Sequence, residues 1–115
     1  MNSKMERSGG MPVAEPVSLG DLVSYQDGSV VSRTIAKQNG GTLTLFAFDS
    51  GQSLSEHTAP FDAIVQVLEG EAELVIGGRT VSVTEGRTAL MPADVPHAVN
   101  APSRFKMLLI MVRQV

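Results

Sequence analysis

The chain of 115 residues contains no cysteine and no tryptophan, one tyrosine, four phenylalanines and two histidines. Without cysteine there is no disulfide, no thiolate nucleophile and no Cys-based zinc site. Any metal chemistry would have to use His57, His97, carboxylates or backbone oxygens. The formal charge is -3, and the nine Lys and Arg residues are spread along the chain. That leaves no basic footprint for nucleic acid. The apolar stretches near the start are too short and broken for a signal peptide or a membrane span. The cytoplasm is therefore the expected location, and neither a membrane nor a nucleic acid is an expected partner.

What is present describes a folded globule: 43% of residues are hydrophobic and only 18% are charged. The length suits one domain. Residues 1–16 carry Gly9-Gly10, Pro12 and Pro16 among Lys4, Glu6 and Arg7. Such a polar, breaker-rich stretch reads as a flexible tail, or as an arm ordered against a partner subunit. The folded domain is expected over residues 17–115.

Beyond one expected helical turn in Val17–Val23, the pattern is that of β-structure. Runs of strand length cover Ser29–Lys37, Thr42–Asp49, Ala63–Leu68, Glu71–Ile76, Arg79–Val83, Thr88–Met91, His97–Asn100 and Phe105–Val112. In Thr42–Asp49 the faces carrying Leu43, Leu45, Ala47 and Thr44, Phe46, Phe48 differ little, which predicts cover on both sides. Gly77-Gly78 between two strand-like runs is a hairpin signal, because tight primed turns need positive φ. Turn residues recur at short intervals. Eight or nine short strands with no long helix predict an all-β antiparallel sandwich or barrel. Glu69, Glu71 and Glu73 alternate around a turn and read as one solvated rim. Arg33, Arg104 and Lys106 read as surface residues, and Tyr25 receives no role.

Two segments carry a family resemblance. GQSLSEHTAPFDAIVQVLEG runs from Gly51 to Gly70, and GRTALMPADVPHAVN from Gly86 to Asn100. They resemble the two motifs of the cupin superfamily. In the first, Gly51, His57 and Gly70 stand at the motif spacing, while Ala59 and Ala63 stand where a second His and a Glu are usual. In the second, Gly86, Pro92 and His97 fit, Asp94 replaces a Gly, and Asn100 comes one residue early. The resemblance implies a small double-stranded β-helix, or jelly-roll barrel, with a flexible N-terminal arm. It also implies a homodimer, often with exchange of N-terminal strands, and a metal (Fe, Mn, Ni, Zn or Cu) held by three His and one Glu.

In this chain two of those four ligand positions are alanine, leaving His57 and His97. Of the possible substitutes, Glu56, Asp62 and Gln66 are out of phase, and Asp94 lies in a turn. If His57 points into the barrel, alternation carries Ala59, Phe61, Ala63, Val65 and Val67 with it. His57 and His97 are then expected to approach each other at the barrel mouth. Met91, Met107, Met111, Phe46, Phe48, Phe61 and Phe105 read as core packing, and some of them as cavity lining.

Three functional readings follow. The first is a barrel binding a small molecule in an apolar cavity, anchored by His57 and His97 and lined by Phe48, Phe61, Val65, Met91 and Met107. In that reading a divalent metal (Zn, Ni, Fe or Mn) is at most weakly held on the two histidines. The second is a metal-dependent enzyme, dioxygenase- or isomerase-like. The third is a non-catalytic structural or regulatory dimer. No catalytic residue stands out.

Overall fold

A computed structural model describes residues 10–113 of the chain. Nine strands follow one another: β1 (Val30–Gln38), β2 (Gly41–Phe48), β3 (Ser53–His57), β4 (Asp62–Glu69), β5 (Glu71–Ile76), β6 (Arg79–Thr84), β7 (Thr88–Met91), β8 (His97–Asn100) and β9 (Phe105–Val112). They form two antiparallel sheets, one ordered β1-β2-β9-β4-β7 and the other β3-β8-β5-β6. The chain passes repeatedly from one sheet to the other, which makes the double-stranded β-helix. The expected helical turn is a single 3-10 turn, Leu19–Leu22. Among the described residues no helix is long and apolar enough to cross a membrane.

Alternation along the strands builds the core. On β4, Ala63, Val65 and Val67 face inward and are buried, whereas Ile64, Gln66 and Leu68 face outward and are partly exposed. They meet Phe105 and Met107 of β9, Phe48 of β2 and, from the opposite sheet, Ala72, Leu74, Val83 and Val99. The Phe48 and Phe105 rings stack with centroids 4.6 Å apart. Sequence features set the corners. Gly77 and Gly78 both have positive φ and close the β5–β6 hairpin. Gly70 has φ +77°, and a Cβ there would lie 2.5 Å from the Arg104 carbonyl oxygen. Only glycine fits where β4 hands the chain to β5 in the other sheet.

Three expectations need correction. Ser53–Leu54 and the residues up to His57 form a strand of their own, β3, which the apolar pattern alone does not mark. This strand ends at His57, and residues 58–61 cross to the other sheet. Alternation therefore does not run from His57 through Ala59 and Phe61 into β4. The three glutamates do not share a rim either, because Gly70 separates two sheets. Glu69 accepts the Tyr25 hydroxyl at 2.6 Å, Glu71 accepts from Ser82, and Glu73 accepts from Asn100 at 3.3 Å.

The two-sided cover predicted for β2 comes from the N-terminal segment. Met11, Leu19, Leu22, Val23 and Tyr25 pack on the outer face around Leu45, Ala47 and Leu108. Residues 1–9 of the expected tail lie outside the described residues, whereas Gly10 and Met11 are in contact with the sheet. The basic residues read as plain surface hold this segment in place. Arg33 donates to the carbonyls of Leu22 and Gly10 at 3.0 and 2.9 Å, and Lys106 donates to that of Gly20 at 2.7 Å. Tyr25 lies between two cations, with Arg104 Cζ 5.2 Å and Lys106 Nζ 5.0 Å from its ring centroid. Burial, reinforced by the hydrogen bond to Glu69, pushes its hydroxyl well above the usual range.

Arg104 also bridges Asp49 and Asp27 at 2.7 and 2.6 Å. The Gly28 N–H and the Arg104 guanidinium lower the Asp49 carboxyl from 3.8 to about 2. A depressed carboxylate stabilises the fold above its unfolded value, and that contribution is lost as pH falls through the folded one. Urea midpoints measured between about pH 5 and pH 2 should therefore fall with acidification. The Asp49→Asn variant should lose part of that slope. An unchanged slope in the variant contradicts the assignment.

Candidate functional site at the barrel mouth

At one end of the barrel β3 finishes, β4 begins, β7 finishes and β8 begins. The two crossings, 58–61 and 92–96, are laced together there. The Asp94 N–H donates to the Ala59 carbonyl at 2.8 Å, and the Ala93 N–H to Asp62 Oδ1 at 2.9 Å. Asp94 has φ +65°, the left-handed conformation that the motif's usual glycine would supply. Asp is among the few residues that tolerate it, so the loop keeps its shape despite the substitution.

His57 and His97 are direct cross-strand partners on β3 and β8. Their rings meet edge to face, with centroids 4.4 Å apart and planes at 69°. They approach as neighbours in one sheet, not from opposite walls of the barrel. Strict alternation from Leu54 would put Glu56, not His57, on the inner face. The register shifts between Leu54 and His57, where β3 spends one more residue than β8. This bulge brings His57 into phase with His97. His97 is 3% exposed, and His57 is exposed at the rim.

Each ring uses its Nδ1 on a backbone carbonyl: Ser55 O at 2.8 Å from His57, and Val95 O at 3.1 Å from His97. A carbonyl oxygen can only accept, so Nδ1 must carry the proton. In the neutral rings this makes both Nε2 atoms acceptors, and neither has a hydrogen-bond partner among the described residues. The ring pair therefore carries two acceptor nitrogens.

The inner row of the facing sheet at this end runs through register partners. Thr42 pairs with Met111, Met111 with Ala63, and Ala63 with Met91. Thr42 Oγ1 is buried and has no hydrogen-bond partner among the described residues. Phe61 sits in the crossing, partly exposed, beneath the Arg113 guanidinium at 5.5 Å from its ring centroid. Of the expected lining residues, Phe61 and Met91 are at the mouth. Phe48, Val65 and Met107 are deeper and have no solvent exposure. Thr42 and Met111 belong to the mouth as well. Counting in twos from Met107 finds Met111, but only the strand pairing places it beside Ala63.

The four-ligand metal centre implied by the motifs finds an incomplete donor set. Ala59 and Ala63 have no donor atom. Glu56 is exposed, Asp62 is engaged by Ala93, Gln66 faces outward on β4, and Asp94 is exposed in its turn. Among the described residues no three His, Cys, Asp or Glu side chains group around a possible ion. Catalytic zinc takes three protein ligands, so two imidazoles do not fit a conventional divalent centre.

The sequence profile of the cupin domain family matches residues 44–113. The chain belongs to this family. No curated protein matches it. Among solved structures, a conserved protein of unknown function from Streptococcus pyogenes is 36% identical, with TM-score 0.88 and coverage of 92% of this chain and 93% of that one. A cupin superfamily protein from Desulfitobacterium hafniense is 28% identical, with TM-score 0.86 and coverage of 91% and 96%. A cupin 2 conserved barrel domain protein from Leptotrichia buccalis is 40% identical, with TM-score 0.80, over 82% of this chain and 46% of that one.

The proton positions in this cupin can be read directly. Long-range nitrogen–proton NMR correlations on the neutral imidazoles should show protonated Nδ1 and bare Nε2 in both His57 and His97. A protonated Nε2 in either neutral ring contradicts the arrangement.

Proposed function

We propose that this cupin is a binding barrel whose ligand is held at the mouth by the Nε2 atoms of His57 and His97. The observation that carries the reading is the pair itself. Two imidazoles are aligned by a strand bulge, each is fixed by a backbone carbonyl, and each is left with an open acceptor. A small molecule with two N–H or O–H donors satisfies both, and its apolar part rests against Phe61, Met91 and Met111. Shallow binding suits the packing, since Phe48, Val65 and Met107 fill the depth of the barrel. The proposal takes the chain to act in the cytoplasm as a homodimer. The incomplete donor set weighs against a conventional metal-dependent oxygenase or isomerase. The built geometry around the histidines weighs against a purely structural barrel.

A thermal-shift screen of small polar metabolites tests this. A true ligand raises the melting temperature by mass action, by about 2.7 kcal/mol of stabilisation at a hundredfold excess over Kd. The shift should vanish in His57→Ala and in His97→Ala. A ligand whose shift survives in both variants contradicts the proposal. His57 is exposed, so His57→Ala should retain the fold and serve as the cleaner of the two.

A further inference from the structure

The described part of the N-terminal segment covers Leu45, Ala47 and Leu108 on the outer face of the larger sheet. Nearer the β1–β2 hairpin the same face continues through register partners. Ala36 pairs with Leu43 and Leu43 with Ile110, and in the next row Gln38 pairs with Gly41 and Gly41 with Val112. Ala36, Leu43 and Ile110 are partly exposed, and Val112 is 51% exposed. Together they wall an almost wholly apolar groove of about 270 Å³. A Cβ at Gly41 would collide with the Met111 carbonyl oxygen, so no side chain can stand at that position in the groove. A second cavity, of about 470 Å³, adjoins it at the hairpin and is lined by Lys37, Gln38, Asn39 and Arg113. Gln38 borders both, and Val112 and Arg113 are chain neighbours across the boundary. The Arg113 N–H donates to the Gly40 carbonyl at 2.9 Å, which ties the end of β9 to the hairpin. Two cations and two carboxamides thus stand at one end of an apolar groove, on a chain whose net charge is -3. No acidic side chain among the described residues lines either cavity.

We infer that this end of the outer face binds a single-chain amphiphilic carboxylate, a free fatty acid by chemical class. The alkyl chain lies in the groove over Gly41, and the carboxylate meets Lys37 and Arg113 at the hairpin. The side-chain amides of Gln38 and Asn39 supply further N–H donors to its oxygens. Ligand sites are mostly apolar, with a few polar groups that fix orientation, and these two joined cavities divide the work in that way. Several buried methylenes outweigh an exposed ion pair. The groove therefore supplies the affinity, and the cations set the direction of the chain. The charge stands at one end of the groove and not around it, which fits one head and one tail. His57 and His97 belong to the opposite sheet, so the inference does not rest on the binding role of the His pair.

The test is a calorimetric titration of the full chain with decanoate below its micelle concentration. The parent should bind one equivalent, with the largest amide NMR shifts at Ala36, Gly41 and Leu43. Lys37→Gln/Arg113→Gln should weaken decanoate binding by about fivefold. Decanol, which has the same chain and no charge, should bind that variant and the parent alike. Val112→Glu changes an exposed position, so it should keep the melting temperature. It puts a carboxylate in the groove wall and should weaken decanoate binding by about tenfold or more. Absence of binding to the parent overturns the inference. So does decanoate binding that the double cation variant leaves unchanged, or that His57→Ala abolishes, since the latter would put the ligand at the mouth. If phosphatidylglycerol vesicles capture the protein while decanoate does not bind, the face is a membrane contact and the inference falls. If Val112→Glu splits a dimer of the parent while decanoate does not bind, a second copy covers the groove and the inference falls as well.

Discussion

One extra residue on β3, between Leu54 and His57, sets the phase of the barrel mouth. Without it His57 would share a face with Ser55 and point away from His97. With it the two rings touch at 4.4 Å, and their Nδ1 atoms find the carbonyls two residues upstream. The bulge is possible because β3 is the edge strand of its sheet. β3 is laddered to β8 alone, so the bulge disturbs that one ladder and orphans no second neighbour. The site's chemistry therefore depends on a local irregularity in an otherwise regular fold.

The rest of the molecule supports this rim from below and from outside. The stacked Phe48 and Phe105 and the inward valines fill the barrel, so the floor of the mouth is fixed. Outside, the N-terminal segment gives the β1–β2–β9 surface a second apolar layer. Tyr25, Arg104, Lys106 and Glu69 hold that layer down through contacts spanning the whole chain. Each partner is short of full burial, so the grip comes from the combination and not from any single ion pair. Both apolar layers leave the polar chemistry to the end where the crossings meet.

Much of the fold was legible in the sequence, for physical reasons. Phe105–Val112, Thr88–Met91 and His97–Asn100 read as strands with the bounds they have, because breakers flank them closely. Gly77-Gly78 announced a hairpin through the φ values it must adopt. The cupin motifs located both histidines, and Ala59 and Ala63 revealed the missing donors. The bulge was not legible, since a register shift exists only relative to a partner strand. The break after His57 is not legible, since a period of two presupposes one continuous strand, while residues 58–61 leave the sheet. The role of Tyr25 is not legible because its partners, Glu69, Arg104 and Lys106, are all distant in sequence. Met91 and Met111 looked like ordinary core, and only their pairing with Ala63 gives them a place at the mouth.

At the centre of the account is a cupin mouth with a paired-imidazole site in place of a four-ligand divalent centre. Elemental analysis of protein purified without chelator or affinity tag tests that most directly, when repeated on His57→Ala and His97→Ala. The account predicts no divalent metal near one equivalent in the parent. A near-stoichiometric Zn, Ni, Fe or Mn ion that disappears in both variants would contradict it.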